Sequence, residues 1–322
     1  MSARTFAVVL VVGAAACQPI LDDDPSRVTG PRVLAVRSEP AEAKPGEAIE
    51  IRALYTDGVT TAVSPLAFDF CTARPALAEP TAVASACIES ASGARVRIGL
   101  GAEARGAMPS EACRLFGPER PLGKPGEPAG RPADPDGTGG FYQPGIVSIP
   151  ALDVRAESLF EIRVRCNPSG ATQAAVAELE RRYRANSNPA IESLVVERAG
   201  APTPTFVAEA SEIAVAPNEL ITLRVTWPPC PTEEPCGGAE RYVAYDPAAR
   251  IVVARRESIR ASWLASNGEI GATRNGRAED DESRDLATTW RAPASTSTST
   301  IWVVLRDSRG GTVWRTIVAR VP

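Results

Sequence analysis

Apolar and polar residues alternate along much of this chain, in short runs bounded by Pro, Gly, Asn and Asp. In "PNELITLRVTW", Ile221, Leu223, Val225 and Trp227 fall on one side, and Thr222, Arg224 and Thr226 on the other. A period of two predicts a half-buried strand, because successive side chains of an extended backbone point to opposite faces. "PGEAIEIRALY" aligns with that run without a gap at an offset of 172 residues, matching Pro45 with Pro217, Glu47 with Glu219, Ile49 with Ile221 and Arg52 with Arg224. A further short run precedes each copy, "RVLAVRS" and "IESLVVE". The repeat predicts tandem sheet modules that open with the same two strands. One stretch departs from this period: in "ATQAAVAELERRYRANSNP", Val176, Leu179 and Tyr183 recur at helical spacing, and Asn186 with Asn188-Pro189 ends the run. One amphipathic helix is expected there.

In the second half, "ESIRASWLASNGEI", "TTWRAP", "IWVVLRDSRGG" and "TVWRTIVARV" resemble the C, E, F and G strands of PKD-like and cadherin-like immunoglobulin sandwiches of bacterial surfaces. The resemblance covers about residues 190–322, with Trp263 in the place of the core tryptophan and Asp307 with Gly310-Gly311 in the turn between the last two strands. It implies an all-β fold of two tandem immunoglobulin-like β-sandwiches, although the first half resembles the family only in its opening strands. The expected organisation is a signal peptide at 1–16, an acidic tether at 17–30, a first sandwich at 31–168, a helix and linker at 169–188, and a second sandwich at 189–322. Residues 228–255 exceed what the family places before its C strand. Residues 105–145 are so rich in Pro and Gly that a long loop is expected.

The N-terminus reads as a secretory signal, with Arg4, the apolar run Phe6 to Val12, and small residues before Cys17. That apolar run is too short for a stable membrane-spanning helix. "AAAC" resembles the bacterial lipobox, which implies a diacylglycerol on the Cys17 thiol and a membrane partner through that lipid. Gln18 follows, rather than the Asp that retains some lipoproteins at the inner membrane, so an outer-membrane lipoprotein is expected.

The chain has seven cysteines. With Cys17 set aside, Cys71, Cys87, Cys113, Cys166, Cys230 and Cys236 are expected to form three disulfides in an exported protein. Cys230 and Cys236 close the short loop "CPTEEPC"; among the other four, three connectivities are open, of which Cys71 with Cys87 and Cys113 with Cys166 is preferred. Zinc is disfavoured, as no C-x-x-C pair and no histidine is present.

The absence of histidine removes Ser-His-Asp and Cys-His catalysis and the H-E-x-x-H zinc helix. The two lysines, Lys44 and Lys124, lie in Pro-Gly turns that do not suit a desolvated amine. Paired carboxylates could still hydrolyse a glycoside, but no spacing singles out a pair. Asp134 and Asp136 in "DPDGTGG" are weak metal candidates, read more simply as a turn. The acidic run 278–285 is read as a solvated loop. No phosphate-binding glycine loop follows a strand, so no cofactor is expected. A net charge of -4 without a basic stripe argues against nucleic acid. What remains is a noncatalytic envelope protein displaying its modules for adhesion, assembly or scaffolding, or one that binds a saccharide, a peptide or an envelope protein.

The last two strands offer a candidate surface. If "DSRGGT" closes a hairpin of even loop length, Asp307 lies opposite Thr312, Leu305 opposite Trp314, Val303 opposite Thr316 and Ile301 opposite Val318. Trp302, Val304 and Arg306 then share an outward face with Val313, Arg315 and Ile317. Trp302, Arg306 and Arg315 are the candidate partner-binding residues, unless Trp302 packs beneath the other module. An odd loop exposes Trp314 instead.

Overall fold

The computed structural model describes residues 25–62, 65–74, 83–91, 93–117, 138–150, 156–168, 170–201 and 203–322. Cys17, the expected signal peptide, and Asp134 and Asp136 lie outside the described residues.

The first half contains β1 (Arg32–Glu39), β2 (Glu42–Ala43), β3 (Ala48–Thr56), β4 (Leu66–Cys71), α1 (Ser85–Ile88), β5 (Arg95–Gly101), β6 (Glu103–Ala107), α2 (Ala112–Phe116), β7 (Phe141–Ile149) and β8 (Ala156–Val164). Helix α3 (Gln173–Arg182) follows. The second half contains β9 (Ser193–Arg198), β10 (Thr205–Phe206), β11 (Ser211–Ala214), β12 (Leu220–Thr226), β13 (Arg241–Asp246), β14 (Ile251–Arg256), β15 (Ile259–Ala265), β16 (Glu269–Ile270), β17 (Arg274–Arg277), β18 (Asp285–Arg291), β19 (Ser297–Asp307) and β20 (Thr312–Val321). The chain is therefore mainly β.

The strands assemble into two facing pairs of sheets. In the first half, β1-β3-β6 faces β2-β8-β7-β4-β5; in the second, β10-β9-β12-β18-β16 faces β11-β20-β19-β15-β17. Ile51, Phe68, Phe70, Val147 and Ile162 fill the first core. Trp227, Trp263, Trp290, Leu223 and Val303 fill the second. The halves also share a topological detail. A short strand after the opening one, β2 or β11, crosses to the other sheet and pairs parallel with that half's last strand, β8 or β20.

The internal repeat has a three-dimensional counterpart. β1 pairs antiparallel with β3, and β9 with β12. The matched turn positions Gly46 and Asn218 both have positive φ, 80° and 61°, which glycine, lacking a Cβ, adopts freely and a short polar side chain such as asparagine tolerates best. The matched glutamates cap these turns alike. Glu47 Oε2 accepts from Lys44 N at 2.8 Å, and Glu219 Oε2 from Ala216 N at 2.7 Å. Thr172 caps α3 by accepting from Ala175 N.

The single helix expected between the halves is α3, and two further single turns, α1 and α2, carry Cys87 and Cys113. Three expectations need correction. The proposed loop over 105–145 is structured at both ends by β6, α2 and β7, because β6 completes the β3 sheet and the Cys113–Cys166 bridge anchors α2. The proposed tether over 17–30 ends in packed chain: Ser26 and Val28 are buried, exchanging backbone hydrogen bonds with Ala265. Finally, the hairpin register differs. Arg306 lies opposite Thr312, Leu305 opposite Val313, Val304 opposite Trp314 and Trp302 opposite Thr316. The turn from Asp307 to Gly311 has an odd number of residues, and a shift of one residue exchanges the faces of β20.

Candidate functional site

Cys71 joins Cys87, Cys113 joins Cys166, and Cys230 joins Cys236. Three disulfides mark a chain that matures outside the reducing cytoplasm. No described helix is long and apolar enough to cross a membrane.

The unusual chemistry lies where the two halves meet. Its centre is Arg309, in the turn between β19 and β20, with its side chain fully buried. Nε donates to Glu257 Oε1 at 2.6 Å, Nη2 to Glu240 Oε2 at 2.7 Å and Nη1 to the Arg184 carbonyl at 3.1 Å. The guanidinium also lies over the Tyr242 ring, 4.6 Å from its centroid. The stretch 228–255, which the resemblance could not place, builds this cradle: it forms the separate hairpin β13-β14, with Glu240 just before it and Glu257 just after. Glu240 also accepts from Ser187 and from Cys236 N, so the Cys230–Cys236 loop is tied to the same centre.

Asp307 organises the turn itself, accepting from the backbone N–H groups of Arg309 at 2.8 Å and Gly311 at 2.9 Å. A Cβ at position 311 would stand 2.0 Å from Asp307 Oδ2, so only glycine fits. Asn186 Nδ2 donates to the same carboxylate, while Asn186 N donates to Glu42 Oε2 on β2. Glu42 also accepts from Tyr183 OH and pairs with the buried Arg163 at 3.3 Å. The linker therefore connects two buried ion clusters, one from each half.

Burial shapes the protonation of these groups. It pushes Glu257 well above the usual carboxylate range, reinforced by Asp307 and Glu240. Burial also raises Asp307. Tyr183 is pushed up to about 12 by burial and by Glu42. These carboxylates are the closely placed acids that spacing alone did not reveal, but with Glu240 and Glu257 only 3% and 0% exposed no glycoside reaches them. Among the described residues no group of side chains is arranged to hold a metal ion. In the acidic run 278–285, Asp281 and Asp285 pair with Arg277.

The second contact between halves is apolar. Trp302 and Val304 on the outer face of β19 pack with Val28, Ala35 and Leu54 of the first half. Trp302 Nε1 donates to Thr61 Oγ1 at 2.8 Å, and Thr300 Oγ1 donates to the Val59 carbonyl at 2.6 Å. The proposed partner-binding face is thereby corrected: Trp302 is 0% exposed and belongs to this seam. Arg315 does not share its face. The observed register places it opposite Val303, and it donates to the Ile191 carbonyl at 3.3 Å. Arg306 is on the Trp302 face, half-buried, donating to the Leu34 carbonyl at 3.2 Å. Trp314 is half-buried and, with Arg37, Glu39, Glu50 and Arg52, lines a shallow groove of about 330 Å³.

No family model matches the chain, and no curated protein matches it. Among solved structures, dimeric latent PorU of Porphyromonas gingivalis is similar over 92% of this chain and 24% of its own length, at 12% identity and TM-score 0.19. A protein of unknown function from P. gingivalis W83 is similar over 89% of this chain and 99% of its own, at 9% identity and TM-score 0.21. Salmonella alpha-2-macroglobulin reacted with methylamine is similar over 91% of this chain and 15% of its own, at 10% identity and TM-score 0.21. This chain thus spans about a quarter of PorU's length and less of the macroglobulin's. At these TM-scores none of the three assigns a fold or an activity, and none is a PKD-like or cadherin-like assignment.

Proposed function

We propose that this chain is a noncatalytic, lipid-anchored protein of the bacterial envelope, held at the outer membrane through Cys17, whose two immunoglobulin-like sandwiches of PKD-like or cadherin-like type serve adhesion, assembly or scaffolding. The observation that carries this reading is the double seal between the halves. The buried Arg309 and Glu42 clusters and the Trp302 seam hold the sheet pairs in one fixed orientation. A fixed tandem suits display, where a partner must meet a surface of constant shape, and the bridges suit exposure to an oxidising compartment. The shared crossing of β2 and β11 to the last strand of each half supports the immunoglobulin-like reading.

A saccharide- or peptide-binding role is favoured by one feature, the half-buried Trp314 in its polar groove. Aromatic side chains beside arginine are enriched at recognition sites.

Fractionation of cells expressing Cys17→Ala tests the anchor. The variant is expected in the soluble fraction, and retention on membranes after a high-salt wash overturns that part of the reading. A glycan array combined with crosslinking to envelope proteins separates display from saccharide binding: Trp314-dependent glycan capture selects the second.

A further inference from the structure

Arg260 on β15 lies directly opposite Arg306 on β19. Arg274 on β17 lies opposite Ser262, the next residue of β15 on the same face. Arg260, Ser262 and Leu264 alternate with Ile259, Ala261, Trp263 and Ala265, which belong to the second core, so this face is turned toward the first half. Directly opposed cross-strand residues have Cβ atoms about 4.5–5.5 Å apart and diagonal neighbours about 7–8 Å, and like charges at that spacing repel.

Elsewhere in the two sheets of the second half most arginines are neutralised. Arg224 pairs with Glu197 and Asp285, Arg277 with Asp281 and Asp285, and Arg198 with Glu219. Among the described residues, Arg260, Arg274 and Arg306 have no carboxylate partner; Arg306 gives its hydrogen bond to the Leu34 carbonyl. Burial, together with the charge of Arg274, lowers the pKa of Arg306. Gly276, opposite Arg260, keeps the row open. A Cβ there would stand 3.1 Å from Arg260 Cγ and 3.0 Å from the Ile259 carbonyl, so glycine allows the arginine stem to cross β17.

All three arginines line one groove of about 910 Å³ between the halves, with Arg32, Tyr142 and Glu161 in the facing wall. Asp307 borders it but is already satisfied by the turn amides and Asn186.

We propose that this groove binds a phosphate-bearing anion, with Arg260, Arg274 and Arg306 presenting guanidinium N–H groups to its oxygens. The planar fork of arginine matches oxyanions in pairs. A phosphate monoester carries about -1.5 to -2 at neutral pH and offsets several cations at once, as one carboxylate does not. The volume lies within the range of small-molecule sites and exceeds a lone phosphate, which points to a phosphorylated head group. The site is independent of the anchor at Cys17, and its test can fail while the anchor stands.

Calorimetric titration of the purified protein with inorganic tripolyphosphate at low salt, where charge is least screened, is expected to show saturable one-to-one binding. Arg306→Gln and Arg260→Gln are each expected to weaken it about tenfold or more. The exposed Arg260→Gln and Arg274→Gln, which relieve like-charge repulsion, are expected not to lower the unfolding temperature. A second arm sediments the Cys17→Ala protein with phosphatidylcholine vesicles with and without phosphatidic acid, to learn whether a lipid carries the phosphate. Arginine-dependent binding in either arm supports the site. It is overturned by no saturable binding in both arms, by binding that survives removal of all three arginines, or by an equal loss in Arg291→Gln, which lies on the other sheet.

Discussion

Arg309 Nε lies 2.6 Å from Glu257 Oε1, and neither side chain is exposed to solvent. An ion pair this deep does not owe its presence to net stabilisation, because desolvating both partners offsets much of their attraction. Its value is geometric. Arg309 binds at once the Arg184 carbonyl of the linker and the two carboxylates that flank the β13-β14 hairpin, and so fixes both against the last turn.

Removing one partner exposes the cost of the other. Arg309→Met is expected to destabilise the protein by about 3–5 kcal/mol, since Glu240 and Glu257 remain buried without their cation. Urea unfolding followed by tryptophan fluorescence measures this, and a loss under about 1 kcal/mol contradicts the keystone role.

The pH dependence follows from Glu257. In the unfolded chain it ionises near the usual glutamate value of about 4.3, whereas the folded chain holds its proton to higher pH. The stability this proton supplies is therefore complete below the unfolded value and is lost as pH rises through the folded one. Glu257→Gln removes that loss, so its stability relative to the natural chain is expected to increase with pH above about 4.3. Paired unfolding curves at several pH values check it; a difference that falls with pH assigns Glu257 the opposite shift.

Trp302→Ala is expected to cost about 3–5 kcal/mol, the range for truncating a buried aromatic. Trp314→Ala, at a half-buried position, is expected to cost less. Thermal unfolding ranks the two, and limited proteolysis of Trp302→Ala is expected to cut between the halves first.

The bridges differ in span. Cys113 and Cys166 are 53 positions apart in sequence, and Cys230 and Cys236 are 6. Because the stabilisation from a crosslink grows with loop length, about 2 to 4 kcal/mol over this range, replacing both cysteines of the first bridge with alanine is expected to lower stability more than replacing those of the second. Denaturant titration of the two double variants compares them, and the reverse order excludes a loop-entropy account.

Several features were legible because they are local. The strands around Ile49 and Ile221 follow from alternation, α3 from the spacing of Val176, Leu179 and Tyr183, and the matched turns before β3 and β12 from a repeat visible in the letters alone, although the glutamate caps of those turns appear only in the structure. The Cys230–Cys236 bridge needed only a short loop, whereas the other four cysteines left three pairings open until β4, α1, α2 and β8 brought them together.

Arg309 gave no such signal, for an arginine between Ser308 and Gly310 reads as an exposed turn residue, and only the convergence of Glu240, Glu257 and Arg184 buries it. Trp302 and Trp314 departed from expectation for a related reason: Trp302 is buried in the seam, and Trp314, opposite Val304, packs half-buried against it. Sequence determined that both belong to alternating strands, since alternation is a property of neighbouring residues. Which face meets the other half depended on the parity of one turn and on Val28, Ala35 and Leu54 arriving from hundreds of positions away in the chain. Burial is set by what packs against a residue, and the residues that pack here are distant in sequence, so the tertiary structure alone decided it.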